Sequence, residues 1–142
     1  MTNPIYGFDS FEGLPYSDHA WKKGDFSCGL DECEQNLKNI CGDNWNQYIK
    51  LIKGWYSDTL TSELLSSINN GYSPLIHIDC DLYQSALEAL SFVQPLMTKN
   101  TYIMFDEFDF GEDRAWNLVA SKHNINYERV SHVEYQVTIK VL

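Results

Sequence analysis

Three short apolar runs in this sequence each end on an acid, and segments of helical period lie between them. Residues 5–8 lead into Asp9, residues 75–78 into Asp79, and residues 102–105 into Asp106 and Glu107. Such runs are too short for helices and have the length of strands in a parallel sheet, where both faces are buried. His77, inside the run 75–78, is therefore expected to be a hydrogen-bonded core residue.

The segments between these runs can be placed in turn. Residues 12–29 carry Gly, Pro, Ser, Asp and Lys without a period and read as a long surface loop. Asp31 and Glu34 have capping-box spacing ahead of an apolar stripe of Cys33, Leu37, Ile40 and Cys41. Residues 48–52 form another strand, closed by Gly54. A helix is predicted over 58–70, with Leu60, Leu64, Leu65 and Ile68 on one side and Gly71 as its stop. Asp81 and Gln84 repeat the capping-box spacing before a helix through Leu87, Leu90, Val93 and Met97, which Pro95 should kink or shorten. Ala115, Trp116, Val119 and Ala120 mark a last helix. Tyr135, Val137, Ile139 and Val141 then alternate with polar residues, and pair with 127–130 across 131–134 as an antiparallel hairpin. The whole is one α/β domain over 1–142, an open and mostly parallel sheet with a terminal hairpin.

The formal charge of −10 repels phosphate backbones and anionic lipid heads, which argues against nucleic acid and membrane partners. Divalent cations and neutral or cationic small molecules suit such a surface. No apolar run is long enough to span a bilayer, and Pro4, Asp9 and Glu12 interrupt any signal-like start. Cys28, Cys33, Cys41 and Cys80 lack C-x-x-C spacing, which makes a zinc site improbable. They are expected as reduced, small apolar fillers in a cytoplasmic protein.

In an open parallel sheet, ligands bind beyond the carboxyl ends of the strands. One helix joins 75–78 to 102–105, so a right-handed crossover lays the two strands ~4.8 Å apart. Asp79 and Asp106 then converge within reach of one cation. Crowded carboxylates raise one another's pKa, and a hard divalent ion such as Mg²⁺ is their natural partner. Bland roles compete with this. Asp81 is equally placed as an N-cap, and Asp9 can simply start a turn. Asp79 is harder to explain that way, since an unpaired acid at the end of a buried strand carries a desolvation cost. Trp55 fits either the core or a ring stacked on a flat ligand.

Four ordered stretches carry a resemblance. Residues 6–15 (Tyr-Gly-Phe-Asp-Ser-Phe-Glu-Gly-Leu-Pro), 53–60 (Lys-Gly-Trp-Tyr-Ser-Asp-Thr-Leu), 77–85 (His-Ile-Asp-Cys-Asp-Leu-Tyr-Gln-Ser) and 105–108 (Phe-Asp-Glu-Phe) resemble the macrocin O-methyltransferase (TylF-like) family. The resemblance implies a Rossmann-like class I methyltransferase, a three-layer fold using S-adenosylmethionine. It implies that Asp9, with Ser10 and Phe11 beside it, holds the cofactor ribose, and that Gly54 and Trp55 lie near the adenine. Asp79, Asp106 and Glu107 match the family's metal ligands, with Asp79 or Asp81 as base toward the hydroxyl of a small, sugar-like substrate. Glu107 stands where many relatives have Asp, a longer ligand. The Asp79-Cys80-Asp81 triplet also resembles haloacid-dehalogenase phosphatases and Mn²⁺-dependent glycosyltransferases. Tyr83 departs from the first, and the surrounding motifs argue against the second.

The family begins with a strand and a glycine-rich turn that cradle the methionine end of the cofactor. The glycines here, at 7, 13, 24, 29, 42, 54, 71 and 111, include no G-x-G pair. The expectation is an N-terminally truncated fold that binds S-adenosylmethionine weakly and adenosine almost as well. A truncated reading frame, a degenerate binding or assembly module, and half of a split enzyme all fit. Strand edges left unpaired must be covered, either by pairing 5–8 directly with 75–78 or by a second copy. The uncovered apolar faces favour a homodimer.

Overall fold

The computed structural model describes residues 4–18, 21–68 and 71–142, which cluster into two compact units, Met1–Thr59 and Leu60–Leu142. In the first unit, β1 (Ile5–Asp9) pairs in parallel with β2 (Ile49–Lys53), with Asp9 opposite Lys53. The loop after β1 folds back on itself. Leu14 is buried; its N–H donates to the Asp25 carbonyl at 3.0 Å and its carbonyl accepts from Gly24 at 2.9 Å. Gly13, at φ 78, lies so close beneath this loop that a Cβ would come within 2.5 Å of the Gly24 and Asp25 carbonyl oxygens. Only glycine fits there.

Helix α1 (Leu30–Cys41) starts after Gly29 with no side-chain cap, so the expected Asp31–Glu34 capping box does not form. Asp31 instead lies in the first turn, where an acid favours the helix dipole. The apolar stripe of α1 is not a core face. Ile40 is 81% exposed, Cys41 is exposed, and Cys33 and Leu37 are only half-buried. Of the four cysteines, all free, only Cys80 is the buried filler expected. Helix α2 (Tyr56–Thr59) closes this unit.

The second unit holds α3 (Ser62–Ser67), β3 (Leu75–Ile78), α4 (Tyr83–Val93), β4 (Tyr102–Phe105), α5 (Glu112–Lys122), β5 (Tyr127–Val133) and β6 (Gln136–Val141). Its strands lie in the order β3-β4-β6-β5; β3 and β4 are parallel, and the other two pairings are antiparallel. Ile76, Ile78, Ile103, Phe105, Val137 and Ile139 line up across one face. Ala86 and Leu90 of α4 and Ala115, Trp116, Val119 and Ala120 of α5 bury that face. Trp116 meets Phe105 with ring centroids 6.0 Å apart.

The other face is bare along β3 and β4, where Leu75 is 56% exposed and Tyr102 and Met104 are also exposed. These strands are therefore covered on one side rather than both, and His77 is an exposed residue rather than a core one. Among the described residues β1 pairs with β2 in the first unit, and β3 pairs with β4 in the second.

Two boundaries differ from expectation. The helix predicted over 58–70 is two short helices, because the Thr61 hydroxyl accepts from the Leu64 N–H at 3.2 Å and starts α3 afresh. The last two residues of that prediction, Asn69 and Asn70, lie outside the described residues. The hairpin is longer and its turn tighter, since Glu134 takes φ 53 between β5 and β6. Pro95 does shorten α4, which ends at Val93 in a single 3₁₀ turn.

Stability should follow this uneven burial. Trp116, fully buried, should cost about 3–5 kcal/mol when replaced by alanine. Ile40→Ala should cost less than about 0.5 kcal/mol. Urea denaturation of the two variants checks the contrast.

Candidate active site

The parallel register sets Ile78 opposite Phe105, so the residues that follow them leave the sheet side by side. The Asp106 N–H extends the ladder by donating to the Ile78 carbonyl at 3.1 Å. Carboxylate oxygens of Asp79, Asp106 and Glu107 consequently lie within 4.8 Å of one another. Asp79 is exposed, so the desolvation cost expected for it does not arise; mutual crowding is what needs compensation. Glu107 supplies a further sign of an absent partner, because its Oε2 is buried with no hydrogen bond. A set of oxygen donors with one buried and unsatisfied member fits a hard divalent cation.

Asp81 is not an N-cap. Helix α4 follows Leu82 without a side-chain cap, and Asp81 takes φ 57 at the centre of a γ-turn closed by Leu82 N–H to the Cys80 carbonyl at 2.5 Å. Such a left-handed, non-glycine centre costs roughly 1–3 kcal/mol and persists only where its surroundings hold it. Burial pushes the Asp81 carboxyl up to about 6, aided by the charges of Asp79 and Asp106. Burial likewise raises Glu107 to about 7, with Asp81, Asp106 and Asp79 adding to it.

Two residues that the sequence did not single out complete this cluster. Gln136, at the start of β6, donates from Nε2 to Asp106 Oδ1 at 2.5 Å, and the Phe108 N–H donates to the Tyr135 carbonyl at 2.9 Å. The tight hairpin turn thus buttresses the Asp106–Glu107 segment. Glu112, fully buried in the first turn of α5, accepts from the Cys80 N–H at 3.1 Å. Burial lifts Glu112 to about 8 against the pull of the Cys80 N–H, with Glu107 pushing the same way as burial.

The residues expected at the cofactor's adenosine end come together in the other unit. Asp9 ends β1, and its Oδ1 accepts from the Phe11 N–H, so it does start a turn. Ser10 is buried; its hydroxyl accepts from Glu12 N–H at 3.1 Å and donates to the Gly13 carbonyl at 3.3 Å. The Gly54 N–H donates to the Asp9 carbonyl at 2.9 Å, which places Gly54 and Trp55 next to that turn. Gly54 has φ 144, and a Cβ there would lie 2.6 Å from Thr59 Cγ2. Trp55 is half-buried, and its carbonyl accepts from the Thr59 hydroxyl at 3.0 Å.

The raised acids fix a sign for pH dependence. A carboxyl whose folded pKa exceeds its unfolded value adds stability that is complete below the unfolded value and lost as pH climbs through the folded one. Asp81 at about 6, Glu107 at about 7 and Glu112 at about 8 therefore make the cation-free protein less stable as pH rises across that window. Melting temperatures in chelator should fall between about pH 5 and about pH 8.5, and excess Mg²⁺ should shrink the fall. A flat profile would count against the crowding.

No helix among the described residues is long and apolar enough to cross a membrane. Demethyldecarbamoylnovobiocin O-methyltransferase of Streptomyces niveus is 23% identical over 115 residues, covering 73% of this chain and 41% of its own length. The solved O-methyltransferase NovP superposes with a TM-score of 0.79 at 19% identity, over 96% of this chain and 59% of that one. A calicheamicin methyltransferase gives 0.75 at 22% over 96% and 60%, and its apo form, described as a TDP-rhamnose 3'-O-methyltransferase, gives 0.66 at 21% over 96% and 58%. The chain thus spans less than two-thirds of the length of these relatives, with the fold of class I methyltransferases. The family profile described as Macrocin-O-methyltransferase (TylF) matches residues 2–139, and the chain belongs to that family.

Proposed function

We propose that this chain carries the cation and acceptor side of an S-adenosylmethionine-dependent O-methyltransferase acting, in the cytoplasm, on a hydroxyl of a small, sugar-like molecule. The observation that carries this reading is the convergence of Asp79, Asp106 and Glu107 from adjacent parallel strand ends, with a buried Glu107 oxygen lacking a partner. Family membership supports the reaction class, and the TDP-rhamnose enzyme of like fold supports a sugar hydroxyl. Asp79, Asp106 and Glu107 would hold Mg²⁺, whose charge, when bound, makes a coordinated hydroxyl more acidic. Asp81 takes the hydroxyl proton. Burial, with the charges of Asp79 and Asp106, raises its carboxyl to about 6 in the cation-free protein, and a bound cation would draw it back down. The freed oxygen bonds to the methyl carbon as the carbon–sulfur bond breaks. Asp9 accepts hydrogen bonds from the ribose hydroxyls, the Ser10–Phe11 turn holds Asp9 in place, and Gly54 and Trp55 adjoin the adenine.

Calorimetric titration tests this directly. Mg²⁺ should bind and raise the melting temperature by mass action, and Asp79→Asn should abolish the response. Adenosine should bind almost as well as S-adenosylmethionine, because the residues proposed for the cofactor, Asp9, Ser10, Phe11, Gly54 and Trp55, all serve its adenosine end. No Mg²⁺ response in the native chain, or an unchanged one in Asp79→Asn, would overturn the cation site. Binding of neither nucleoside would leave a non-catalytic, methyltransferase-like module.

We also propose a homodimer. Its support is the bare face of Leu75, Tyr102 and Met104 and the position of β3 at an edge of its sheet. Light scattering should give twice the chain mass of 16.4 kDa, and a monodisperse, folded monomer at micromolar concentration would rule it out.

A further inference from the structure

Glu112 has no place in the chemistry just described, yet it is the most thoroughly buried acid among the described residues, at 0% exposure. A buried carboxylate is costly unless it is hydrogen-bonded. Glu112 has one such bond of normal geometry, to the Cys80 N–H, while its Oε2 is buried without a partner. Packing alone does not call for an acid here. The preceding Gly111, at φ 132, presses the start of α5 against the start of α4, where a Cβ would meet Tyr83 Cβ at 3.1 Å and Tyr83 N at 3.2 Å. That close approach brings the Glu112 side chain to the peptide between Asp79 and Asp81. Glu112 itself follows Glu107 by only five residues, through the short turn Phe108–Phe110. The backbone N–H of Glu107 also favours its charge.

We infer that Glu112 is a positioning residue, whose buried carboxyl group ties the loop bearing Asp79 and Asp81 to the segment bearing Glu107 and so sets the spacing of the three candidate ligands. The inference rests on the cation site proposed above, but the tie itself exists without a cation. Partners that orient metal ligands from behind typically change metal affinity by about 10–100-fold when removed. What matters in such a tie is the reach of the acceptor, not its charge.

Two conservative variants separate reach from charge. Glu112→Gln keeps the length and an acceptor oxygen but cannot ionise; Glu112→Asp keeps the ionisable carboxyl but is one methylene too short. The first readout is hydrogen exchange at the Cys80 amide in chelator. Protection should survive in Glu112→Gln and fall at least about tenfold in Glu112→Asp. The second is calorimetric affinity for Mn²⁺ alone, which should stay within about threefold for Gln and drop about 10–100-fold for Asp. Equal exchange in native and Asp proteins, or loss of protection in Gln to the same extent as in Asp, would overturn the inference. A native chain that shows the exchange pattern but binds no Mn²⁺ would sink the cation site while leaving the tie standing.

Discussion

The candidate site depends on one alignment, the parallel register that puts Ile78 beside Phe105. Given that register, the acids that follow the two strands have nowhere to go but toward each other. Strand spacing is ~4.8 Å, shorter than the distance at which like charges cease to matter in a partly desolvated setting. Burial first, and crowding with it, raises Asp81 and Glu107, and the crowded acids load the local structure whenever no cation is present. The load is carried by contacts beneath the strand ends. Phe105 packs edge-on against Phe108 and tilted on Trp116, and Gln136 fixes Asp106 from the hairpin.

The same sheet is unfinished in the other direction. Its helix-covered face holds nearly all of the large buried side chains of the second unit, while the face bearing Leu75, Tyr102 and Met104 meets solvent. A strand read as apolar throughout is normally covered on both sides. Helix α1 repeats the pattern in the first unit, with an apolar stripe of which no residue is fully buried.

Much of this was legible in the residues, for definite reasons. Strands announce themselves by short apolar runs, and acids at the carboxyl ends of neighbouring parallel strands must converge, so Asp79, Asp106 and Glu107 could be named without coordinates. Burial of the second sheet face could not be read, because it depends on what covers the sheet rather than on the strand itself; His77 was misplaced for that reason. Capping boxes failed at Asp31 and Asp81 because the spacing says nothing of the backbone just before the helix. At Asp81 that backbone is a left-handed turn. Thr61 was a readable cap that went unused. Glu134, neither Gly nor Asn, gave no warning of a tight hairpin turn. Gln136 carried no signal, since an outward polar residue is what an alternating strand is expected to show. Glu112 did carry one. It occupies the i position of the stripe continued by Ala115, Trp116, Val119 and Ala120, and an acid on an apolar stripe asks for an explanation.

That acid bears on how the two costs at the site are met. The left-handed turn at Asp81 strains the backbone, and the crowded carboxylates repel one another; each would relax if the Asp79–Asp81 loop swung away from β4. Two things resist that movement. One is the ladder between β3 and β4, which ends at Asp106. The other is the Cys80 N–H bond to Glu112, made in a fully buried place where water cannot replace it. Breaking it would take a hydrogen bond from a buried amide, a loss of the same order as the strain it restrains. The site therefore holds its shape through the packed side of the sheet, the side on which α4, α5 and their core are complete, and the bare face bears none of that burden.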